Sequence, residues 1–233
     1  MSHHFFNRHG GVSLGNFTSL NVGDDVGDDH GSVLENRRIV KQRMGGGRLV
    51  SSRQVHGNKV YPVKGELQED MEVDGFDALV TSQKSTILLI QQADCQAVLL
   101  HDPKRQVIAA IHCGWRGSVG TIIGKTVTLM QEQYRSVPAD IKAFIGPSLG
   151  PCCAEFIHFR KELPEAFFRF QVQPAYFDFW EISTQQLVQA GLDRERVEIA
   201  GLCTSCSDDY FSYRRACRTG KGITGRHCSA IRL

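Results

Sequence analysis

Residues 85–117, STILLIQQADCQAVLLHDPKRQVIAAIHCGWRG, carry a cysteine and a histidine at a spacing that can do chemistry. The run reads as two apolar strands joined by a turn at Asp102-Pro103-Lys104-Arg105, where Asp suits the first position and Pro presets φ for the second. A symmetric hairpin about that turn puts Cys95 opposite His112, with Cβ atoms roughly 5 Å apart on one face. From there a thiolate at about 2.3 Å and an imidazole at about 2.0 Å can share one zinc ion. Strand alternation sends Asp94 and Cys113 to the other face. The same pair also fits a metal-free dyad, with Cys95 as nucleophile and His112 as base. A third ligand separates the two, since zinc needs one and a dyad does not. His56, followed by Gly57 and Asn58 at a turn, serves only if the fold carries it to the pair. Asp77, an acid at the start of an apolar strand, suits a turn, or holding a metal-bound histidine from behind.

Elements that must position these residues lie on both sides of the hairpin. Residues 9–31, HGGVSLGNFTSLNVGDDVGDDHG, form a loop that can bring its backbone close to a ligand; its acids lack the alternating spacing of a calcium loop. Over residues 29–44, Val33, Leu34, Val40 and Met44 predict a helix closed by Gly45-Gly46-Gly47. Short strands are expected within residues 49–63 and at 78–80. Beyond the hairpin, residues 114–117 make a tight connection into a helix with Ser118 as N-cap and Val119, Ile122, Ile123, Val127 and Met130 on its apolar face. The start of that helix, with Arg116 just before it, is the expected anion site, in the absence of a Walker motif. Residues 141–145 predict a strand running into GPSLGPCC, whose Gly-Pro pairs deliver Cys152 and Cys153. Residues 155–170 read as helical and split at Pro164, 180–190 as a helix stopped by Gly191, and 197–202 as a strand. Strands recurring to residue 112, then alternating with helices, predict one α/β or α+β domain over residues 1–233 with a mixed sheet.

Apolar content of 41%, charged content of 22% and a net charge of +2 are ordinary for a soluble globular protein, and argue for neither nucleic acid nor a membrane surface as partner. No apolar run approaches the ~20 residues of a membrane span, and MSHHFFNRHGG lacks a signal-peptide core, so the expected location is the cytoplasm. There, eight cysteines favour free thiols or metal ligands over disulfides. In the tail, Cys203 and Cys206 form a C-x2-C followed by Cys217 and Cys228, without a second C-x2-C, so buried free thiols fit better than a four-cysteine zinc site. Arg214, Arg215 and Arg226 either reach an anionic substrate or cover the surface.

The motifs SRQVHG, ADC and AAIHCGWRG, followed by IGPSLGPCC and the FSYRR…TGRHCSAI tail, resemble in order those of the multicopper-polyphenol-oxidase, or laccase-domain, family, also described as purine nucleoside phosphorylases of the YfiH type. The likeness runs nearly end to end and includes the GGVSLGNFTSLNVGDD opening. It implies a zinc ion held by two histidines and one cysteine, matching His56, Cys95 and His112. Three protein ligands leave a fourth position open, the arrangement of a catalytic rather than a structural site. It also implies a single-domain α+β fold of four layers, α/β/β/α, with mixed sheets, similar to toxin-type cysteine deamidases. The implied activity is phosphorolysis of purine nucleosides (adenosine, inosine, guanosine and methylthioadenosine) with adenosine deaminase activity alongside. Purine nucleoside and phosphate are then the partners, with Arg116 the candidate for the phosphate and Asp77 for the acid that moves protons in deamination.

Two alternatives accompany the resemblance. Copper can displace zinc at such a site by the Irving–Williams order, so Cu2+ is the alternative ion and copper-dependent polyphenol oxidation the alternative activity. A multicopper oxidase needs several more histidines for its other coppers, and the chain has no His-x-His pair. The other alternative is a cysteine hydrolase using Cys95 and His112.

Overall fold

A computed structural model describes residues 1–233. The chain starts with β1 (Ser2–Phe5), crosses the glycine-rich loop and enters α1 (His30–Arg43). Asp29 caps α1 by accepting the Ser32 N–H. Val33, Val40 and Met44 turn inward while Leu34 faces solvent, and Gly45, Gly46 and Gly47 all take positive φ to end the helix. Five strands follow: β2 (Arg48–Arg53), β3 (Val60–Pro62), β4 (Met71–Asp74), β5 (Ala78–Thr81) and β6 (Thr86–Gln92). The central hairpin is β7 (Gln96–Asp102) and β8 (Val107–Cys113), leading into α2 (Trp115–Val119) and α3 (Ile122–Tyr134). Then come β9 (Lys142–Ile145), α4 (Phe159–Glu162), β10 (Gln171–Gln173), β11 (Tyr176–Phe177) and α5 (Phe179–Gln189). The chain closes with β12 (Val197–Ile199), α6 (Tyr213–Thr219) and β13 (His227–Arg232).

The strands build two mixed sheets, in the orders β1-β13-β6-β2-β4 and β12-β9-β7-β8-β5-β3. They pack face to face through Val50, Leu88 and Ile90 of the first and Leu99, Ile108 and Ala110 of the second. Alternation along β7 and β8 sends Val98, Leu100, Ala109 and Ile111 to the opposite face, where Ile123, Val127 and Met130 of α3 and Leu187 of α5 cover them. On the far side of the first sheet, Val40 and Met44 pack on Ile87 and Leu89. The layers therefore run helix, sheet, sheet, helix, a mixed α/β architecture of α+β character. Every residue of β7 and β8 is buried, as expected of strands covered on both faces. No helix is long and apolar enough to cross a membrane.

Several local expectations are corrected. The hairpin pairs Asp102 with Val107, so residues 103–106 form the loop and Ala97, not Cys95, lies opposite His112. Asp102 Oδ1 accepts the N–H groups of Lys104 and Arg105, and Gln106 takes φ 53° to close the turn one residue later than Arg105. The slip is two residues and the pleat repeats every two, so Cys95 keeps the face of His112 from just beyond the strand end. The helix after the hairpin starts at Gly114, its N-cap, and breaks at Gly120; Thr121, with φ 59°, starts α3. Ser118 is therefore buried inside α2, its hydroxyl 3.2 Å from Cys113 Sγ, and Val119 is exposed. Residues 155–170 hold only α4 and a 3-10 segment (Glu165–Phe170), because Glu155 bridges Tyr176 and Phe156 donates its N–H to the Ala175 carbonyl. The last parallel strand ends at Ile199, where Gly201 at φ 65° turns the chain off the sheet.

Candidate metal centre

Asp77 is fully buried at the head of β5. Its Oδ1 accepts the His56 N–H at 2.9 Å and lies 2.9 Å from His112 Nδ1, while Oδ2 accepts the N–H groups of Gly57 at 2.7 Å and Val55 at 3.3 Å. One carboxylate thus fixes both the loop that carries His56 and the ring of His112. His56 sits at φ 57°, a left-handed conformation that a residue with a side chain keeps when its surroundings hold it there. With Nδ1 committed to Asp77, His112 has Nε2 for Cys95 or a metal. The two imidazoles meet edge to face with centroids 4.9 Å apart. His56, Cys95 and His112 each offer one ligand atom, all within 4.8 Å of one another.

Cys95 is held by the residue before it. Asp94 takes φ 86°, its carboxylate accepts Thr204 Oγ1–H at 2.7 Å and the Arg214 N–H at 2.6 Å, and its carbonyl accepts the Leu149 N–H at 2.8 Å. Those bonds pin the β6–β7 connection to two separate loops and to the start of α6. On the opposite side, a Cβ on Gly114 would stand 3.1 Å from Cys95 Sγ and 3.3 Å from His56 Cδ2. Glycine lets the donors close on this backbone without displacing one another.

Burial pushes the Cys95 thiol up, but the charge and hydrogen bond of His112, with His56 beside it, outweigh burial and bring it down to about 6. Burial pulls His112 down, and the Cys95 thiolate together with Asp77 outweighs it, raising the imidazole to about 9. For Asp77 burial acts upward, and the His112 bond and the backbone N–H groups hold the carboxyl below the usual range. The metal-free protein therefore holds a thiolate and an imidazolium backed by a carboxylate. A deprotonated thiolate and a histidine anchored on a carboxylate are what a zinc ion with mixed N/S ligands requires, so the donor set fits the metal. Cys113 is buried on the other face, its thiol pushed up to about 11 by burial, and takes no part.

The three donors line a cavity of about 720 Å³. That volume suits a small-molecule ligand. Trp115, Phe156 and Phe179 give it aromatic walls, and its cations, Arg53, Arg214 and Arg226, stand among the carboxylates of Asp25, Asp94, Glu155 and Glu162. Arg226 donates Nη1–H to the carbonyls of Thr224 and Gly225, which leaves Nε and Nη2 for the cavity. The glycine-rich opening loop contributes Gly23 and Asp25. Arg116 does not line the cavity; it is exposed, with its guanidinium 5.1 Å from the centre of the Trp115 ring. A one-turn α2 offers little dipole to compensate, and the arginines on the cavity wall come from elsewhere in the chain: Arg53, Arg214 and Arg226. Asp77 also lies behind the wall rather than on it. Of the tail cysteines only Cys228 is buried; Cys206 and Cys217 are exposed, and Cys203 is partly so.

The family model of the multi-copper polyphenol oxidoreductase laccases matches residues 2–233. The chain is 34% identical to purine nucleoside phosphorylase YlmD of Geobacillus stearothermophilus over 243 aligned residues, which span 96% of this chain and 87% of that protein. It is 36% identical to purine nucleoside phosphorylase SCO2081 of Streptomyces coelicolor over 228 residues, 93% of this chain and 91% of the relative. The crystal structure of the Bacillus licheniformis hypothetical protein YfiH superposes with a TM-score of 0.87 at 30% identity, over 98% of this chain and 91% of that one. Likeness in sequence and in fold from one end to the other makes this chain a member of the multi-copper polyphenol oxidoreductase laccase, or YfiH-type, family, several of whose members carry the name purine nucleoside phosphorylase.

Proposed function

We propose that the chain is a zinc-dependent purine nucleoside phosphorylase acting on adenosine, inosine, guanosine and methylthioadenosine. The supporting observation is that one cavity holds the His56–Cys95–His112 donor set, the Arg226 guanidinium and an aromatic wall together. Relatives named purine nucleoside phosphorylases add to it. His56, Cys95 and His112 would hold the ion, which when bound supplies a Lewis acid for negative charge developing on the substrate.

In phosphorolysis a phosphate oxygen attacks C1′ of the ribose while the C1′–N9 bond breaks and its electron pair leaves with the purine. Arg226 anchors the phosphate through Nε and Nη2, a charge-assisted pair of donors. Arg53 and Arg214 stand nearby but face the carboxylates of Asp25, Asp74 and Glu155, so Arg226 takes the role expected of Arg116. Trp115, Phe156 and Phe179 offer ring faces to the purine and exclude water. Asp77 positions His112 and His56. Its burial and its four hydrogen bonds suit holding a proton on Nδ1 rather than moving one to a substrate. Adenosine deamination is the second activity proposed, and the acid it needs comes from the cavity wall, where Asp25, Glu155 and Glu162 stand.

A specific geometry favours one further reading. Cys95, His112 and Asp77 are also ordered as nucleophile, base and orienting acid, with the thiol already down to about 6. A cysteine hydrolase built this way works without metal. Polyphenol oxidation has less support: the only other cluster of three or more donors is made of four cysteines, with no histidines for additional coppers.

The test is inosine with and without inorganic phosphate. Hypoxanthine and ribose 1-phosphate formed only with phosphate support phosphorolysis; no cleavage by the zinc-loaded protein, or cleavage that ignores phosphate, overturns it. Activity that survives a chelator would move the assignment to the cysteine hydrolase.

A further inference from the structure

β9 and β12 are parallel neighbours, pairing Ala143 with Val197 and Ile145 with Ile199, and the pairing resumes past their ends as a bridge between Ser148 and Cys203. Two chain segments far apart in sequence therefore leave the same sheet edge side by side. Each then turns at once. The Gly150 carbonyl accepts the N–H groups of Cys153 and Ala154, and the Cys203 carbonyl accepts those of Cys206 and Ser207. The two turns bring the sulfurs of Cys152, Cys153, Cys203 and Cys206 within 4.8 Å of one another. Cys206 Sγ lies 3.6 Å from that of Cys152 and 3.5 Å from that of Cys153. Four thiolates at about 2.3 Å from a tetrahedral ion stand about 3.8 Å apart, so these separations need little adjustment.

The surroundings suit a thiolate centre as well. Gly150 donates its N–H to Cys203 Sγ at 3.3 Å, the kind of outer bond that orients and stabilises a ligand sulfur. A Cβ on Gly150 would stand 2.9 Å from the Trp180 ring and 3.0 Å from Cys203 Cβ, so the close approach of the two turns depends on glycine there. The Arg215 guanidinium donates to the carbonyls of Thr204, Ser205, Ser207 and Tyr210, placing a positive charge against the Cys203–Cys206 turn where it offsets thiolate charge. None of the four cysteines lines the cavity described above.

We propose that Cys152, Cys153, Cys203 and Cys206 form a second metal site, a closed four-thiolate centre that takes zinc and has a structural role. All four positions are filled by sulfur, leaving none for a substrate. The site clamps two loops that both bear on the catalytic cavity. The first supplies Leu149 and Glu155 to its wall, and Leu149 donates to the Asp94 carbonyl; the second supplies Thr204, which donates to the Asp94 carboxylate. Both arms of the clamp thus hold the residue that precedes Cys95.

The test needs no activity, so it is independent of the function proposed above. The Cys95→Ser/His56→Ala double variant, which removes ligands of the first centre, is incubated with excess zinc, desalted and measured for zinc content and zinc K-edge absorption. One zinc per chain with four sulfur neighbours at about 2.3 Å is expected, against two per wild-type chain. Cys203→Ser/Cys206→Ser should remove one zinc from the wild-type total and lower its unfolding temperature. A folded Cys95→Ser/His56→Ala variant without zinc overturns the site, as does peptide mapping that finds Cys206 in a disulfide with Cys152 or Cys153. If the Cys203→Ser/Cys206→Ser variant does not fold, the sulfur count in the first variant still decides.

Discussion

Asp77 Oδ1 lies 2.9 Å from His112 Nδ1 and also 2.9 Å from the backbone nitrogen of His56, so one buried carboxylate orients two of the three donors. Asp77→Asn keeps the volume but puts an NH2 group among N–H donors. Zinc affinity should fall about 10–100-fold, measured by competition with a chelator, while far-UV circular dichroism stays as in the wild type. Unchanged affinity would mean that Asp77 does not organise the centre.

The Cys95 and His112 shifts set a pH dependence for the zinc-free protein. Cys95 is a thiolate above a pH of about 6 and a thiol below it, because the paired imidazole outweighs burial. Iodoacetamide labelling of Cys95, read on its peptide by mass spectrometry, should therefore be half-maximal near pH 6. In His112→Ala the opposing charge is gone and burial acts unopposed by it, so the midpoint should move up by more than one pH unit. Cys113, pushed up to about 11, should stay unlabelled throughout. A wild-type midpoint near that of an ordinary thiol would contradict the ion pair.

Arg226 and Arg116 make a paired comparison. Loss of a charge-assisted hydrogen bond is worth about 1.5–3 kcal/mol, so Arg226→Met should raise the KM for phosphate about ten- to a hundredfold. Arg116→Ala, outside the cavity, should leave that KM within about twofold. The reverse pattern would return the phosphate to the start of α2.

Gly114 faces the donors with no side chain between. Gly114→Ala places a methyl 3.1 Å from Cys95 Sγ, so zinc occupancy should fall while the secondary structure is retained. Its φ of −73° suits any residue, which makes the effect steric and local. Full occupancy in Gly114→Ala would show that the donors have room to spare.

The sequence made the hairpin, the face shared by Cys95 and His112, and the helix stops at Gly45-Gly46-Gly47 and Gly191 readable, because strand alternation and helix termination are local. It misplaced the register by two residues, since whether Arg105 or Gln106 closes the turn depends on a left-handed φ at Gln106 that residue type does not announce. The proximity of His56 to the pair came from family likeness alone, and the fold achieves it through Asp77, a partner twenty-one residues further along the chain. Arg226 and Arg214 could not be separated from surface charge until the segment before β13 and the start of α6 were placed around the cavity. The four-cysteine cluster was illegible for the same reason: Cys203 and Cys206 find their partners through the parallel pairing of β12 with β9, not through the nearer Cys217 and Cys228.

The most direct test is product analysis of adenosine with phosphate, run on wild type, Cys95→Ser and His56→Ala with zinc content measured on each sample. Ribose 1-phosphate and adenine from the wild type, lost in both variants together with one zinc per chain, is the expected result, with inosine marking the deaminase. If ribose 1-phosphate persists in the variants that have lost that zinc, or is absent from the zinc-loaded wild type, phosphorolysis at the His56–Cys95–His112 centre is contradicted.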